Sequence, residues 1–156
     1  MNPYASYVGD RDPLSVIAAT ASELAGRTAG LSAADVNRVP APGKWSRRQI
    51  ICHLADTEIA FGFRIRQALA EPNHVIQPFD QESWAQHYEA YDLASALAFF
   101  TAIRRWNFLL LASLSPEDFA RPLSHPERGA MTFRTLVETM AGHDLNHLAQ
   151  LKAFVD

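Results

Sequence analysis

The 156-residue sequence contains a single cysteine, Cys52, and this scarcity excludes two kinds of site. One thiol cannot form an internal disulfide or a cysteine-based zinc cluster. We expect Cys52 to be a small buried side chain and not a nucleophile. The composition fits a reducing compartment, so the sequence predicts a cytoplasmic protein.

Basic runs and long apolar runs are also missing. Fourteen Lys and Arg residues face seventeen Asp and Glu residues, a net charge of −3, which argues against a nucleic-acid partner. Without a stretch of some 18 apolar residues, no membrane helix is expected. The opening residues, Met1 to Tyr4, lack the basic segment and apolar run of a signal peptide. Length and composition predict one globular domain over residues 1–156.

Four stretches carry helical periodicity, and proline-rich loops separate them. Asp12 precedes Pro13 as a helix cap, and Ser46 begins a capping box with Gln49. The absence of an alternating strand pattern predicts an all-α four-helix bundle, whose long loops favour crossovers over simple hairpins. Short helices are expected near residues 80–87 and 115–118. The predicted long helices are Pro13–Thr28, Ser46–Glu71, Asp92–Ser113 and Thr132–Val155.

The third stretch is apolar around much of its circumference. Phe99, Trp106 and Leu109 widen a face that other apolar residues already form. A helix of this kind is covered on more than one side. Either a second subunit or the loops of the bundle could supply that cover.

Three histidines lie where amphipathic helices are expected to be apolar. His143 and His147 are one turn apart on the fourth stretch, and His53 lies in the apolar stripe of the second. Two such imidazoles converge on one metal ion in helical zinc motifs, and a third from a facing helix leaves coordination open for water or substrate. The alternative is a hydrogen-bonded polar cluster that also uses Thr57, Asp56 and Asn146.

Several short motifs occur in an order that resembles a known family. They are Trp45-Ser46, His53-Leu54-Ala55-Asp56 and the segment from His143 to Leu151, together with Ile76–Asp80, Trp84-Ala85 and His125-Pro126-Glu127 with Gly129. This pattern, over about residues 13–155, resembles the DinB/YfiT superfamily and its YfiT-like branch.

The resemblance implies a four-helix bundle with unusual connections, often dimeric, with a divalent metal on His53, His143 and His147. Zinc or nickel is the expected ion. The implied activity is transfer of a low-molecular-weight thiol to an electrophile, or metal-dependent hydrolysis. The alternative is a non-catalytic helical metal-binding or interaction protein. Catalytic residues stay unassigned, because no general base stands out and Asn146 replaces an extra histidine common in this branch.

Other polar residues are weaker candidates. Asp56 and Thr57 could orient an imidazole, whereas Asp144 is expected to point away from the histidine stripe and Asn146 to bond elsewhere. His74, His87 and His125 lie in predicted loops, and His125 is notable for its motif. Four arginines could bind an acidic substrate, although a solvated helix face is the favoured interpretation; they are Arg64, Arg66, Arg104 and Arg105.

Overall fold

The computed structural model describes residues 2–154. Its long helices are α2 (Pro13–Thr28), α4 (Arg47–Ala70), α6 (Leu93–Ala112) and α8 (Phe133–Lys152). The short helices are α1 (Ala5–Val8), α3 (Ala33–Asn37), α5 (Gln81–Ala85) and α7 (Pro116–Phe119), with a 3₁₀ turn at Tyr88–Ala90. Two strands, β1 (Pro122–His125) and β2 (Gly129–Thr132), complete the architecture.

The helix caps lie where the sequence places them. Asp12 accepts a hydrogen bond from the Ser15 backbone N–H, and Ser46 and Gln49 form the full capping box. Asp80 caps α5, and Thr132 caps α8. The predicted bounds of α2 are confirmed, and α8 ends at Lys152, three residues before the predicted end at Val155, which lies outside the described residues.

The long helices are connected by crossovers. Helices α2 and α4 each pack against both α6 and α8. Helices α2 and α4 are therefore diagonal neighbours, as are α6 and α8, and the loops after α2 and α6 cross the bundle. The predicted all-α bundle with crossover loops is confirmed. Its consequence for function is that α4 and α8, which carry the three histidines, lie side by side.

The bundle also carries a short hairpin that no alternating pattern in the sequence indicates. Strands β1 and β2 pair antiparallel, with Pro122 opposite Thr132 and His125 opposite Gly129. Each strand has only four residues, and in β1 only Leu123 and His125 are buried. Such short, mostly exposed strands lack the alternating apolar pattern by which strands are predicted.

The outer face of α6 stays open in this chain. Phe99, Trp106 and Leu109 are 45%, 66% and 47% exposed, so the loops of the bundle do not cover them. Ile59 and Phe63 of α4 are also exposed. The loops of the bundle therefore do not supply the cover expected for this face, and a second subunit stays a prediction. Within residues 2–154, no helix combines the length and apolarity needed to cross a bilayer.

Candidate metal centre

The three predicted histidines meet between α4 and α8. His143 Nε2 lies 3.0 Å from His53 Nε2 and 3.1 Å from His147 Nε2. One ring nitrogen from each lies within 4.8 Å of the others, and all three side chains are buried. The i, i+4 spacing on α8 places two imidazoles on one face, and the side-by-side packing of α4 supplies the third.

Hydrogen bonds alone leave this cluster incomplete. Gln150 Oε1 lies 2.9 Å from His147 Nδ1, so this nitrogen donates and the Nε2 of the neutral ring holds a lone pair. A single proton on His143 Nε2 or His53 Nε2 cannot satisfy all three facing nitrogens. In addition, His53 Nδ1 is buried and has no partner among residues 2–154. One cation would take up the lone pairs of the three facing Nε2 atoms, although it would not reach His53 Nδ1. An all-imidazole donor set suits zinc, nickel, copper or iron.

Burial keeps the three imidazoles neutral. It lowers the pKa of His53 to about 3, assisted by the proximity of His147, and it lowers the pKa of His143 and of His147. A metal ligand must be an unprotonated imidazole. The electrostatics of the site therefore match a metal site at neutral pH.

Aromatic side chains enclose the histidines, and a cavity opens beside them. The Trp45 ring lies 4.7 Å from the His53 ring and is stacked 6.3 Å from the His147 ring, while Tyr4 meets His143 edge-on at 5.5 Å. The cavity measures about 460 Å³, enough for a small organic ligand. Its lining combines His53 and His147 with aromatic, amide and charged groups, among them Trp45, Tyr4, Gln81, Asn146, Gln150, Lys44 and Glu82.

A second buried polar cluster lies in the same bundle. Arg104 of α6 forms ion pairs with Glu58 of α4, at 2.7 Å, and with Asp144 of α8. Asn107 Nδ2 donates to Glu58 at 2.8 Å, and Thr20 Oγ1 donates to Asp144 at 2.8 Å. Burial alone would lower the pKa of Arg104, but the two carboxylates outweigh it and raise this pKa.

The Arg104 cluster corrects one prediction. The sequence favours a solvated helix face for Arg104, yet its side chain is only 3% exposed. The helical pattern alone predicts an exposed position because arginine is charged. In the structure the two buried carboxylates compensate that charge, so the side chain can be buried. Arg105 is exposed, and Arg66 donates to Asn107 at 2.7 Å. Arg64 lies over the Phe61 and Phe79 rings.

The other predicted polar residues contribute little to the histidine cluster. Thr57 Oγ1 lies 3.4 Å from His53 Nε2, and Asn146 lines the cavity. Asp144 points away from the histidine stripe, as expected, and pairs with Arg104. Asp56 lies against Tyr88 instead.

The loop histidines and the cysteine lie outside the histidine cluster. His74 pairs with Glu71, and His87 is exposed. His125 is buried in β1, and its Nδ1 accepts from the Glu127 N–H. Cys52 is buried, which raises its pKa to about 11 and keeps the thiol protonated.

Sequence reasoning missed Gln150 and Tyr4. Gln150 follows His147 by three residues, so helical spacing could have identified it as a partner of that imidazole. Tyr4 precedes the first predicted helix, and nothing in its local sequence connects it to α8. Gly142 is the one indication in the sequence, because a glycine inside a helix can mark a place where another segment approaches the backbone closely.

Comparisons with a family model and with sequence relatives both relate this chain to one superfamily. A family model described as the DinB superfamily matches residues 17–151. A protein from Oceanobacillus iheyensis, named "Putative metal-dependent hydrolase", is 36% identical over 111 residues, 70% of this chain and 64% of the relative. A Bacillus mycoides protein of the same designation is 27% identical over 110 residues, with the same two coverages. The matched region thus spans just under two thirds of these relatives.

Two solved structures share the fold. YfiT from Bacillus subtilis, described as a probable metal-dependent hydrolase with an unusual four-helix bundle topology, has a TM-score of 0.80 at 21% identity, covering 90% of this chain and 83% of its own. A mycothiol-dependent maleylpyruvate isomerase has a TM-score of 0.69 at 13% identity, covering 92% of this chain and 60% of its own.

Proposed function

This chain belongs to the DinB superfamily, and on that premise we propose that it is a metal-dependent enzyme whose ion is held by His53, His143 and His147. The observation that carries the proposal is the convergence of three buried, neutral imidazoles on one point beside a cavity of about 460 Å³. Three protein ligands leave coordination free for a substrate, as in catalytic sites. Zinc and nickel are the ions we propose.

The chain's own residues support such a reaction in distinct ways. A bound divalent ion would supply Lewis acidity and would make a water molecule or a thiol nucleophilic near neutral pH. Gln150 holds the His147 ring so that Nε2 faces the other two histidines. Trp45 covers His53 and His147 and restricts the approach of solvent. The remaining polar groups of the cavity, including Lys44 and Glu82, are placed to bind a small polar substrate.

For the reaction itself, we favour transfer of a low-molecular-weight thiol to an electrophile, with hydrolysis as the second candidate. The name of the mycothiol-dependent structural neighbour supports the first, and the names of the sequence relatives support the second. Cys52 is not the thiol, because its pKa of about 11 leaves it unreactive. A small co-substrate such as mycothiol or bacillithiol would have to enter the cavity.

Elemental analysis of untagged protein tests the metal site. We expect about one equivalent of zinc or nickel in the parent and none in His143→Ala, because two imidazoles hold such an ion far less tightly than three. His87→Ala is the matched control, since His87 is exposed and lies outside the cluster. The loaded parent is then assayed for thiol conjugation with 1-chloro-2,4-dinitrobenzene and for hydrolysis of 4-nitrophenyl acetate. A metal-free His143→Ala protein with full activity would refute the proposal.

We also propose that the enzyme is a homodimer and that it binds neither nucleic acid nor membranes. The exposed apolar side chains of α4 and α6 form the surface on which a second copy would pack; they are Ile59, Phe63, Phe99, Trp106 and Leu109. Sedimentation velocity is expected to give a dimer for the parent and a monomer for Trp106→Glu. Lys152→Glu, a charge reversal at an exposed position of α8, is the control; an unchanged Trp106→Glu dimer would place the interface elsewhere.

A further inference from the structure

The segment before the first long helix packs on α8 directly beside the histidine cluster. A Cβ atom at position 142 would lie 2.6 Å from Tyr4 Cβ and 2.7 Å from the Tyr4 carbonyl oxygen. It would also lie 3.0 Å from Val8 Cγ2. A glycine inside a helix lowers stability by roughly 1 kcal/mol relative to alanine. At position 142 the absence of a Cβ allows the segment that contains Tyr4 and Val8 to approach α8 closely. Gly142 immediately precedes His143, which fixes the segment next to a metal-ligand candidate.

This packing places Tyr4 at the site. Its ring is 5.5 Å from the His143 ring at an angle of 78°, and it lines the same cavity as His53 and His147. The backbone around it is hydrogen-bonded within its own segment. The Tyr4 N–H donates to Asn2 Oδ1 at 2.9 Å, and the Tyr4 carbonyl accepts from the Tyr7 N–H at 3.0 Å. The ring therefore forms part of the cavity wall on the His143 side, while Trp45 covers the other two histidines.

We propose that Tyr4 is a specificity-determining residue: its ring limits the size of the ligand that reaches the three-histidine site. This inference rests on the proposed metal site. A ring in edge contact with one ligand candidate occupies space that a bulky group near the open coordination position would need. The site should therefore accept small ligands and discriminate against those with an aromatic substituent next to the coordinating atom.

Cobalt-substituted protein provides a readout that is independent of turnover. Imidazole and 4-phenylimidazole are titrated separately, and binding is followed by the visible absorption of cobalt. We expect the parent to favour imidazole. Tyr4→Ala should reduce this preference by about tenfold, the scale on which an apolar pocket discriminates size. Tyr4→Phe keeps the ring and should behave as the parent.

Two further variants distinguish a specific effect of the Tyr4 ring from a general loosening of the fold. Gly142→Ala changes no residue that lines the cavity, but its Cβ would force Tyr4 away from α8, so it should reduce the preference as Tyr4→Ala does. Tyr7→Ala, a change at the exposed neighbour 6.4 Å from Tyr4, should leave the preference unchanged. If every variant binds cobalt and the preference does not change in Tyr4→Ala, the proposal for Tyr4 is wrong and the metal site stands. If the parent binds no cobalt, both fail.

Discussion

The two buried polar clusters differ in whether their own residues complete them. In the Arg104 cluster, one guanidinium lies between two carboxylates, and Asn107 and Thr20 donate to the oxygens of those carboxylates. In the histidine cluster, three nitrogens face one another without enough protons, and His53 Nδ1 has no partner among the described residues. Both clusters span α4 and α8, so the difference does not come from the helices that hold them.

The difference separates a structural cluster from a candidate binding site. A buried charge or polar group is tolerated when it is paired, and an unpaired one implies a ligand or a cost in stability. His143 and Asp144 show how closely the two roles can adjoin. Successive residues of a helix point about 100° apart, so one of them faces the incomplete cluster and the other the complete one. The Arg104 cluster joins α2, α4, α6 and α8, and it thereby fixes the packing on which the histidine geometry depends.

Replacing Arg104, the cation of the complete cluster, should lower stability more than any other change considered below. Arg104→Met leaves Glu58 and Asp144 as two buried carboxylates without their cation. We expect the free energy of unfolding to fall by about 3–5 kcal/mol. Urea unfolding of the metal-free protein measures it.

The adjacent Arg105→Met is the control for that variant. Arg105 is exposed, so its replacement should change stability by less than about 0.5 kcal/mol. If the two variants were equally stable, the Arg104 cluster would not be the structural connection that its contacts indicate.

Acid should weaken the incomplete cluster when metal is absent. The folded-state pKa of His53 is about 3, against about 6.5 in the unfolded chain. The unfolded chain therefore binds more protons, and the stability from this residue is present above pH 6.5 and is lost as pH falls below it. Between pH 7 and pH 5 the loss from His53 is about 2 kcal/mol, and His143 and His147 shift in the same direction.

Urea unfolding of metal-free protein at pH 7, 6 and 5 measures this loss. His53→Gln should show a shallower pH dependence than the parent, because one of the buried imidazoles is gone. His87→Gln, at an exposed position, should keep the slope of the parent. A His53→Gln protein with the parental slope would mean that this imidazole is not held neutral by burial.

The sequence predicts the histidine cluster better than the Arg104 cluster. Helical spacing relates His143 to His147, and histidines in apolar stripes are conspicuous, so this site follows from local pattern and the fold class. Arg104 gives no such signal, because its partners Glu58 and Asp144 lie on other helices and are recognised only after packing. The ligand roles of the three histidines, the single domain and the dimer remain predictions.

The helix caps, on one side, and the hairpin and the Tyr4–Gly142 contact, on the other, show the same division between local and long-range information. Asp12, Ser46 and Thr132 act within one turn of their helices, so their roles are readable from neighbouring residues. The hairpin of β1 and β2 has no pattern of its own. The approach of Tyr4 to Gly142 joins positions 138 residues apart, and only the packed structure reveals it.

The smallest expected effect concerns the one hydrogen bond that orients a ligand of the incomplete cluster. Gln150 Oε1 accepts from His147 Nδ1 at 2.9 Å and so directs Nε2 toward the other histidines. Replacing such a partner costs about 10–100-fold in metal affinity. Since Gln150 is exposed and water can substitute for it, Gln150→Ala should weaken zinc binding by about tenfold, at the lower end of that range. Competition titration with a chromogenic chelator measures this, with Lys152→Ala on the same helix as the control. Gln150→Glu provides a carboxylate acceptor and should bind zinc at least as tightly as the parent; if it binds as weakly as Gln150→Ala, the side chain does not act through His147.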